Sequence, residues 1–231
     1  MSFAAGQPLY AVVPAAGVGK RMGSAIPKQY LPLAGRAILS HTLGLLLSHP
    51  RIDKVVVALG AEDGYFSDLA EAGHPDLIVV SGGAERSDSV RLALAELPEE
   101  AWALVHDAAR PCLHHDDIDA LLAQCGAQGA ILASPVRDTM KRANGVGNID
   151  HTVEREALWH ALTPQLFPAK ALSQALTEHQ HNRAITDEAS ALELCGWTPK
   201  LVAGRADNIK VTHPDDLRLA ELFLAAARSE Q

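Results

Sequence analysis

Apolar runs and amphipathic segments take turns along the first 135 residues, and this alternation restricts the fold more than any other feature. Short runs at 9–13, 54–59, 77–80, 102–106 and 130–133 read as buried strands. Helical patterns fall at 37–48, 62–72, 86–97 and 116–128. Strands joined through helices run parallel, because each crossover returns the chain to the same end of the sheet. Both faces of such a sheet are covered, so each strand must be apolar on both sides. The chain supplies this with 48% hydrophobic but only 4% aromatic residues, leaving Ala, Val and Leu to fill the core. Its 231 residues suffice for one α/β domain with a full core.

The rhythm breaks after Pro135. Residues 137–142, the turn material Asn144-Gly145-Val146-Gly147-Asn148, and residues 149–155 read as a hairpin. A polar hairpin has little core of its own. It is expected to be an arm, at about 136–156, that packs on a second subunit; a plain surface loop is the alternative. Later helices are expected at 170–179, 187–195 and 214–228. The last carries Pro214 in its first turn, where the missing N–H is harmless.

The net charge is −8 and the isoelectric point about 5.7. No global positive field draws this chain to nucleic acid or membrane, so an anionic ligand needs a local basic cluster. Lys20, Arg21 and Lys28 form one. The three cysteines, Cys112, Cys125 and Cys195, make no CxxC pair, so neither a disulfide framework nor a thiolate zinc site is expected. A reducing, cytoplasmic location fits. The N-terminus lacks a basic-then-apolar signal plan, and no apolar run approaches the roughly 18 residues of a membrane span. No His/Asp/Glu group has metal-ligand spacing, and His179 and His181 read as a solvated helix end.

The first strand runs into Pro14-Ala15-Ala16-Gly17-Val18-Gly19-Lys20-Arg21-Met22-Gly23. Ligands of open parallel sheets sit at the carboxyl ends of strands. Gly17 and Gly19 let the backbone approach a ligand, and successive N–H groups there can face phosphate oxygens. A phosphate-binding GxxxxGK[ST] loop is excluded, because Arg21 follows Lys20 and position 14 is proline. A GxGxxG dinucleotide fingerprint is excluded by Met22. Gly-x-Gly alone leaves a structural turn and an anion site both open. The adjacent cations favour the anion site.

The run P-A-A-G-x-G-x-R-M followed by P-K-Q-Y, residues 14–30, resembles the signature of the 2-C-methyl-D-erythritol 4-phosphate cytidylyltransferases. The resemblance continues through GGAERSDSV at 82–90, VHDAARP at 105–111, PVRDTMK at 135–141 and ALTPQ at 161–165. It also includes TDEASA at 186–191 and DNIKVT at 207–212. Ala84 departs from the Asp expected in some members, which removes one possible side-chain contact. The family implies an α/β, Rossmann-like, mostly parallel sheet flanked by helices, with a protruding β-hairpin arm. It implies transfer of CMP from CTP to methylerythritol phosphate with release of pyrophosphate. By the same resemblance Arg21, Lys28, Arg155 and Lys210 are catalytic. Pro14, Ala15, Ala16, Gly17, Gly19, Gly82, Gly83, Ser89, Asp107 and Ala108 bind nucleotide, with Gly82, Gly83 and Ser89 at the cytosine. Arg110, Thr139, Arg155, Thr163, Asp207 and Lys210 bind the second substrate. Arg155 reaches the neighbouring subunit of a homodimer.

The reaction that this resemblance implies is in-line attack by a phosphate oxygen on the α-phosphorus of CTP. A phosphate monoester, with its second pKa near about 6, is largely dianionic at neutral pH and needs no general base. The task is to bring two anions together and to stabilise the departing pyrophosphate, so cations and oriented donors are the tools. Mg²⁺ is expected, held mainly by the triphosphate, with Asp107 and Asp207 nearest to its hydration shell. A different sugar-phosphate nucleotidyltransferase, or a CTP-binding module without catalysis, are the alternatives; R-D-T-M-K, D-N-I-K and the four cations speak for the first reading.

Overall fold

The computed structural model describes residues 3, 4, 6–17 and 26–229. Among these, seven strands form one sheet in the order β11-β7-β10-β6-β1-β4-β5. The strands are β1 (Leu9–Pro14), β4 (Lys54–Leu59), β5 (Leu77–Ser81), β6 (Trp102–Val105), β7 (Ala130–Pro135), β10 (Trp159–Pro168) and β11 (Lys200–Ala203). β1 pairs in parallel with both β4 and β6, and β4 with β5. Only β10 is reversed, antiparallel to β6 and β7. The mostly parallel α/β sheet expected from the alternation is present.

The period-2 geometry of a strand sends neighbouring side chains to opposite faces. Leu9, Ala11 and Val13 of β1 join Val55, Val57 and Leu59 of β4 in one core layer, and Val12 joins Val56 and Ala58 in the other. The first layer is covered by α1 (Ile38–Ser48) and α3 (His115–Gln124), through Leu39, Leu43, Leu46, Ile118 and Leu121. The second is covered by α2 (Arg86–Leu94), α4 (Ala169–Glu178) and α5 (Glu188–Leu194). A third cluster joins Ala109, Cys112 and Val211 to Ala220 of α6 (Pro214–Ser229). A fully buried Leu contributes about 1.5–3 kcal/mol through removal from water, so these layers dominate stability.

Three expectations need correction. Residues 62–72 do not form an α-helix; only the short 3₁₀ turn Phe66–Asp68 forms there. Asp63 Oδ1 accepts from the N–H groups of Tyr65 and Phe66, each at 3.0 Å, and this local capping competes with a helix started earlier. Residues 125–128 lie outside α3, which ends at Gln124 before the Gly126–Gly129 bridge. The strands β10 and β11 and the small hairpin of β2 (Pro32–Leu33) and β3 (Arg36–Ala37) were not foreseen. Pro164 disguised β10, since proline within a sheet is confined to edges and bulges. Here the register shifts between Ala161 and Gln165, giving Pro164 its irregular place inside a central strand.

The arm is formed by β8 (Met140–Ala143) and β9 (Ile149–Val153), antiparallel and almost wholly exposed. Asn144 Oδ1 accepts from the N–H groups of Val146 and Asn148 at 3.1 and 3.0 Å, and Gly147 adopts φ +86° to close the turn. No helix among the described residues is long and apolar enough to cross a membrane.

Candidate active site

The loops after β1, β5 and β6 meet at the carboxyl edge of the sheet. They line a cavity of about 170 Å³ with Lys28 and Gln29 from the 3₁₀ turn Lys28–Tyr30 and Lys210 from the segment before α6. Pro14, Ala15, Ala16, Gly17, Lys28, Gly83, Ser89, Asp107, Ala108 and Lys210 all face it. Larger hollows of about 540 and 680 Å³ lie elsewhere, and neither is lined by the β1 loop or Asp107.

Local bonds fix these walls. The buried Gln29 side chain donates to Ala15 O at 2.7 Å, tying the Lys28 turn to the β1 loop. Lys28 Nζ donates to Val211 O at 3.2 Å, while Val211 N donates to Ala109 O at 2.8 Å. The cation is thus held between the β1 and β6 loops. Gly82 stands behind the cavity and donates its N–H to Leu59 O at 2.6 Å. A Cβ there would lie 2.5 Å from Ala16 Cβ and 3.0 Å from Ser89 Oγ, so only glycine lets the β1 and β5 loops approach this closely. Gly83 N donates to Ser89 Oγ at 3.1 Å, which in turn donates to Glu85 O at 3.2 Å.

Asp107 is the electrostatic hub. Its Oδ1 lies 3.0 Å from Arg86 Nε, and its Oδ2 lies 2.9 Å from Lys210 Nζ and 3.5 Å from Arg110 Nε. Burial alone would raise its pKa, but Arg86, Lys210 and Arg110 together hold the carboxyl well below the usual carboxylate range. Arg86 also forms a fork with buried Glu188, Nη1 to Oε1 at 2.6 Å and Nη2 to Oε2 at 3.2 Å. Burial disfavours the Arg86 charge, yet Glu188 and Asp107 outweigh it and raise its pKa. Three cations against two carboxylates leave a net positive site in an acidic protein.

A neutral network lies beneath. Asp107 N donates to Thr163 Oγ1 at 3.1 Å, and Thr163 Oγ1 lies 3.0 Å from His106 Nδ1. His106 Nε2 lies 3.1 Å from Arg110 O. The carbonyl can only accept, so Nε2 carries the proton and Nδ1 accepts from the threonine hydroxyl. Burial pushes His106 down to about 4, keeping it neutral. Arg110 Nη1 donates to Asn208 O at 2.7 Å, and Asn208 Nδ2 donates to Thr163 O at 2.8 Å.

The expected residues therefore divide. Ten face the cavity, and Gly82, Arg110 and Thr163 support it. Asp207 forms a fork with Arg205 at 3.0 and 2.6 Å. Thr139 and Arg155 lie exposed at the base of the arm, away from the cavity walls, and Arg155 Nη1 donates to Arg137 O. Gly19, Lys20 and Arg21 lie outside the described residues. Sequence reasoning passed over Arg86, Glu188, Gln29, His106 and Asn208. Arg86 left a signal: a cation in the first turn of a helix opposes the macrodipole and needs another reason to be there. Glu188 supplies it.

The family model for 2-C-methyl-D-erythritol 4-phosphate cytidylyltransferase matches residues 9–226. The chain belongs to this family. A relative of that name from Shewanella amazonensis is 66% identical over 223 residues, covering 94% of each chain. The crystal structure of a 4-diphosphocytidyl-2C-methyl-D-erythritol synthase superimposes with a TM-score of 0.83 at 38% identity, covering 94% of this chain and 99% of the other. The Francisella tularensis cytidylyltransferase superimposes at 0.81 with 35% identity, covering the same shares. The present chain is accordingly a nucleotidyltransferase that moves CMP from CTP to 2-C-methyl-D-erythritol 4-phosphate.

Proposed function

We propose that the cavity at the carboxyl edge binds CTP and methylerythritol phosphate side by side, in one nucleotidyltransferase domain spanning 1–231. The observation that carries this reading is the convergence of Arg86, Arg110 and Lys210 on Asp107, beside Lys28 and the Gly17 turn. The β1 loop receives the triphosphate, and the β5 loop with Gly82, Gly83 and Ser89 reads the cytosine edge. A wrong base leaves buried donors unpaired, which is an effective form of rejection. Lys28 and Arg21 stabilise charge at the α-phosphate. Lys210, Arg110, Thr163 and Asp207 hold the acceptor, whose phosphate dianion attacks in line as pyrophosphate leaves.

Magnitudes favour side-chain cations as the main device. Two unit charges about 4 Å apart interact by roughly 4 kcal/mol at an effective dielectric of about 20, against about 0.3–1 kcal/mol for a helix terminus. Asp107 keeps Lys210 and Arg110 in place until the phosphates compete for them. The donor set also fits a Mg²⁺ that arrives on the triphosphate. The described cavity walls offer two carboxylates, Glu85 and Asp107, and Asp107 is already shared by three cations. Asp107 would meet the ion through its water shell, and the bound ion would supply neutralisation of triphosphate charge.

We also infer a cytoplasmic homodimer joined through the arm. Met140, Val146 and Ile149 are 38%, 81% and 67% exposed on a hairpin without a core, which supports burial against a second copy. Thr139 and Arg155 then complete the partner's acceptor site. Pyrophosphate release measured with CTP, Mg²⁺ and methylerythritol phosphate, omitting each in turn, tests the reading. Release should require all three; release with another sugar phosphate or another nucleotide at equal efficiency would overturn it.

A further inference from the structure

Away from the nucleotide cavity, two helices end side by side. α4 stops at Glu178 with His179 as its C-cap, and α5 stops at Leu194 with Cys195 as its C-cap. The ligand atoms of Glu178, His179 and Cys195 all lie within 4.8 Å of one another, and Cys195 Sγ is 3.6 Å from His179 Nε2. A carboxylate, an imidazole and a thiol are the donor types that zinc takes. Helix C-termini carry the negative end of the dipole, so both helix ends favour a cation between them.

Both corners are also fixed in advance. After α5 the chain closes with Trp197 N donating to Leu192 O at 3.0 Å and Gly196 N donating to Glu193 O at 2.9 Å. Gly196 sits at φ +79°, the left-handed residue such a cap requires. After α4, His179 N donates to Ala175 O at 3.1 Å and Asn182 N to His179 O at 2.9 Å. Cys195 and His179 therefore meet through backbone geometry, whatever the cation does. Sequence spacing hides the set, because its members come from two helix ends sixteen residues apart.

We propose that Glu178, His179 and Cys195 bind one borderline-soft divalent cation of the zinc type, with a fourth position open to water or an external ligand. On binding, the Cys195 thiol gives its proton to solvent and its sulfur forms the metal–thiolate bond. Neutral His179 and ionised Glu178 complete the protein's share. The site is chemically separate from a Mg²⁺ on the triphosphate, which prefers oxygen alone. His179 also lines the 540 Å³ hollow that Arg86 and Glu188 line, so an ion here would steady the segment leading to Asp187 and Glu188.

The test uses the full-length, metal-free protein under a non-coordinating reductant, titrated with Co²⁺ and then Zn²⁺. Uptake of one equivalent of Co²⁺ with a thiolate-to-cobalt charge-transfer band is expected, with Zn²⁺ displacing it and raising the unfolding temperature. Cys195→Ser should abolish the band, and Cys195→Ser, His179→Ala and Glu178→Gln should each weaken uptake by about 10-fold or more. Cys195 and Glu178 are exposed, so their variants retain the fold, as unfolding curves without metal will verify. No stoichiometric uptake with metal in excess, or uptake and a band that survive Cys195→Ser, would overturn the proposal.

Discussion

Asp107 stays ionised although it is only 6% exposed, because three cations sit around it. Lys28 lines the same cavity and donates to the Val211 carbonyl, one residue from Lys210. Lys28→Ala should lower kcat by about 100-fold or more, the scale of losing one transition-state donor, with a smaller change in KM; steady-state kinetics would check this, and a kcat within a few-fold of wild type would show that the role lies elsewhere. His106 gives a prediction in pH. Its folded pKa of about 4 lies below its usual 6.5, so the folded protein binds fewer protons between those values. This contribution to stability is full above about pH 6.5 and is lost as pH falls towards 4, amounting to roughly 3 kcal/mol. Asp107, also depressed, adds a loss below pH 3.8. Urea unfolding from pH 7 to 4 should show the decline, and His106→Asn should flatten it. The chain itself advertises Lys28 and Asp107 through their motifs. His106 and Asn208 stand in the same VHDAARP and DNIKVT runs, but their work is to satisfy buried partners that only the fold brings near.

Among the elements, the β1–β5 contact is sensitive to a single atom. Gly82→Ala would force its Cβ against Ala16, pushing the two nucleotide-facing loops apart. KM for CTP should rise by about 10-fold or more, the effect of roughly 1.4 kcal/mol of lost binding, while an unchanged KM would mean that the loops are free to shift. Most strands and helices were legible because each carries its own signal, an unbroken apolar run in Leu9–Pro14 and the helical spacing of Leu39, Leu43 and Leu46 in Ile38–Ser48. The exceptions have local causes. Asp63 redirected residues 62–72 by capping a 3₁₀ turn, and Pro164 concealed a strand that tolerates it only at a register shift. The reversed direction of β10 could not be read at all, since both of its pairings are long-range.

For the whole molecule, the acidic surface and the basic cavity divide the labour: net charge −8 keeps nonspecific anions away, and the local cations select a ligand that fits among them. If the arm completes a neighbouring site, mixing inactive Lys28→Ala and Arg155→Ala subunits should restore activity in the mixed dimer, because one of its two sites then carries neither change. No recovery in a confirmed heterodimer would assign Arg155 to its own subunit. The central claim is that CTP lies along the loops after β1, β5 and β6. A crystal structure with CTP and Mg²⁺ tests it most directly. The account predicts triphosphate oxygens within hydrogen-bonding distance of Lys28 Nζ and the backbone N–H groups around Gly17, with cytosine against Gly82 and Ser89. CTP seated instead in the 540 Å³ hollow beyond Arg86 and Glu188, remote from residues 14–28, would contradict it.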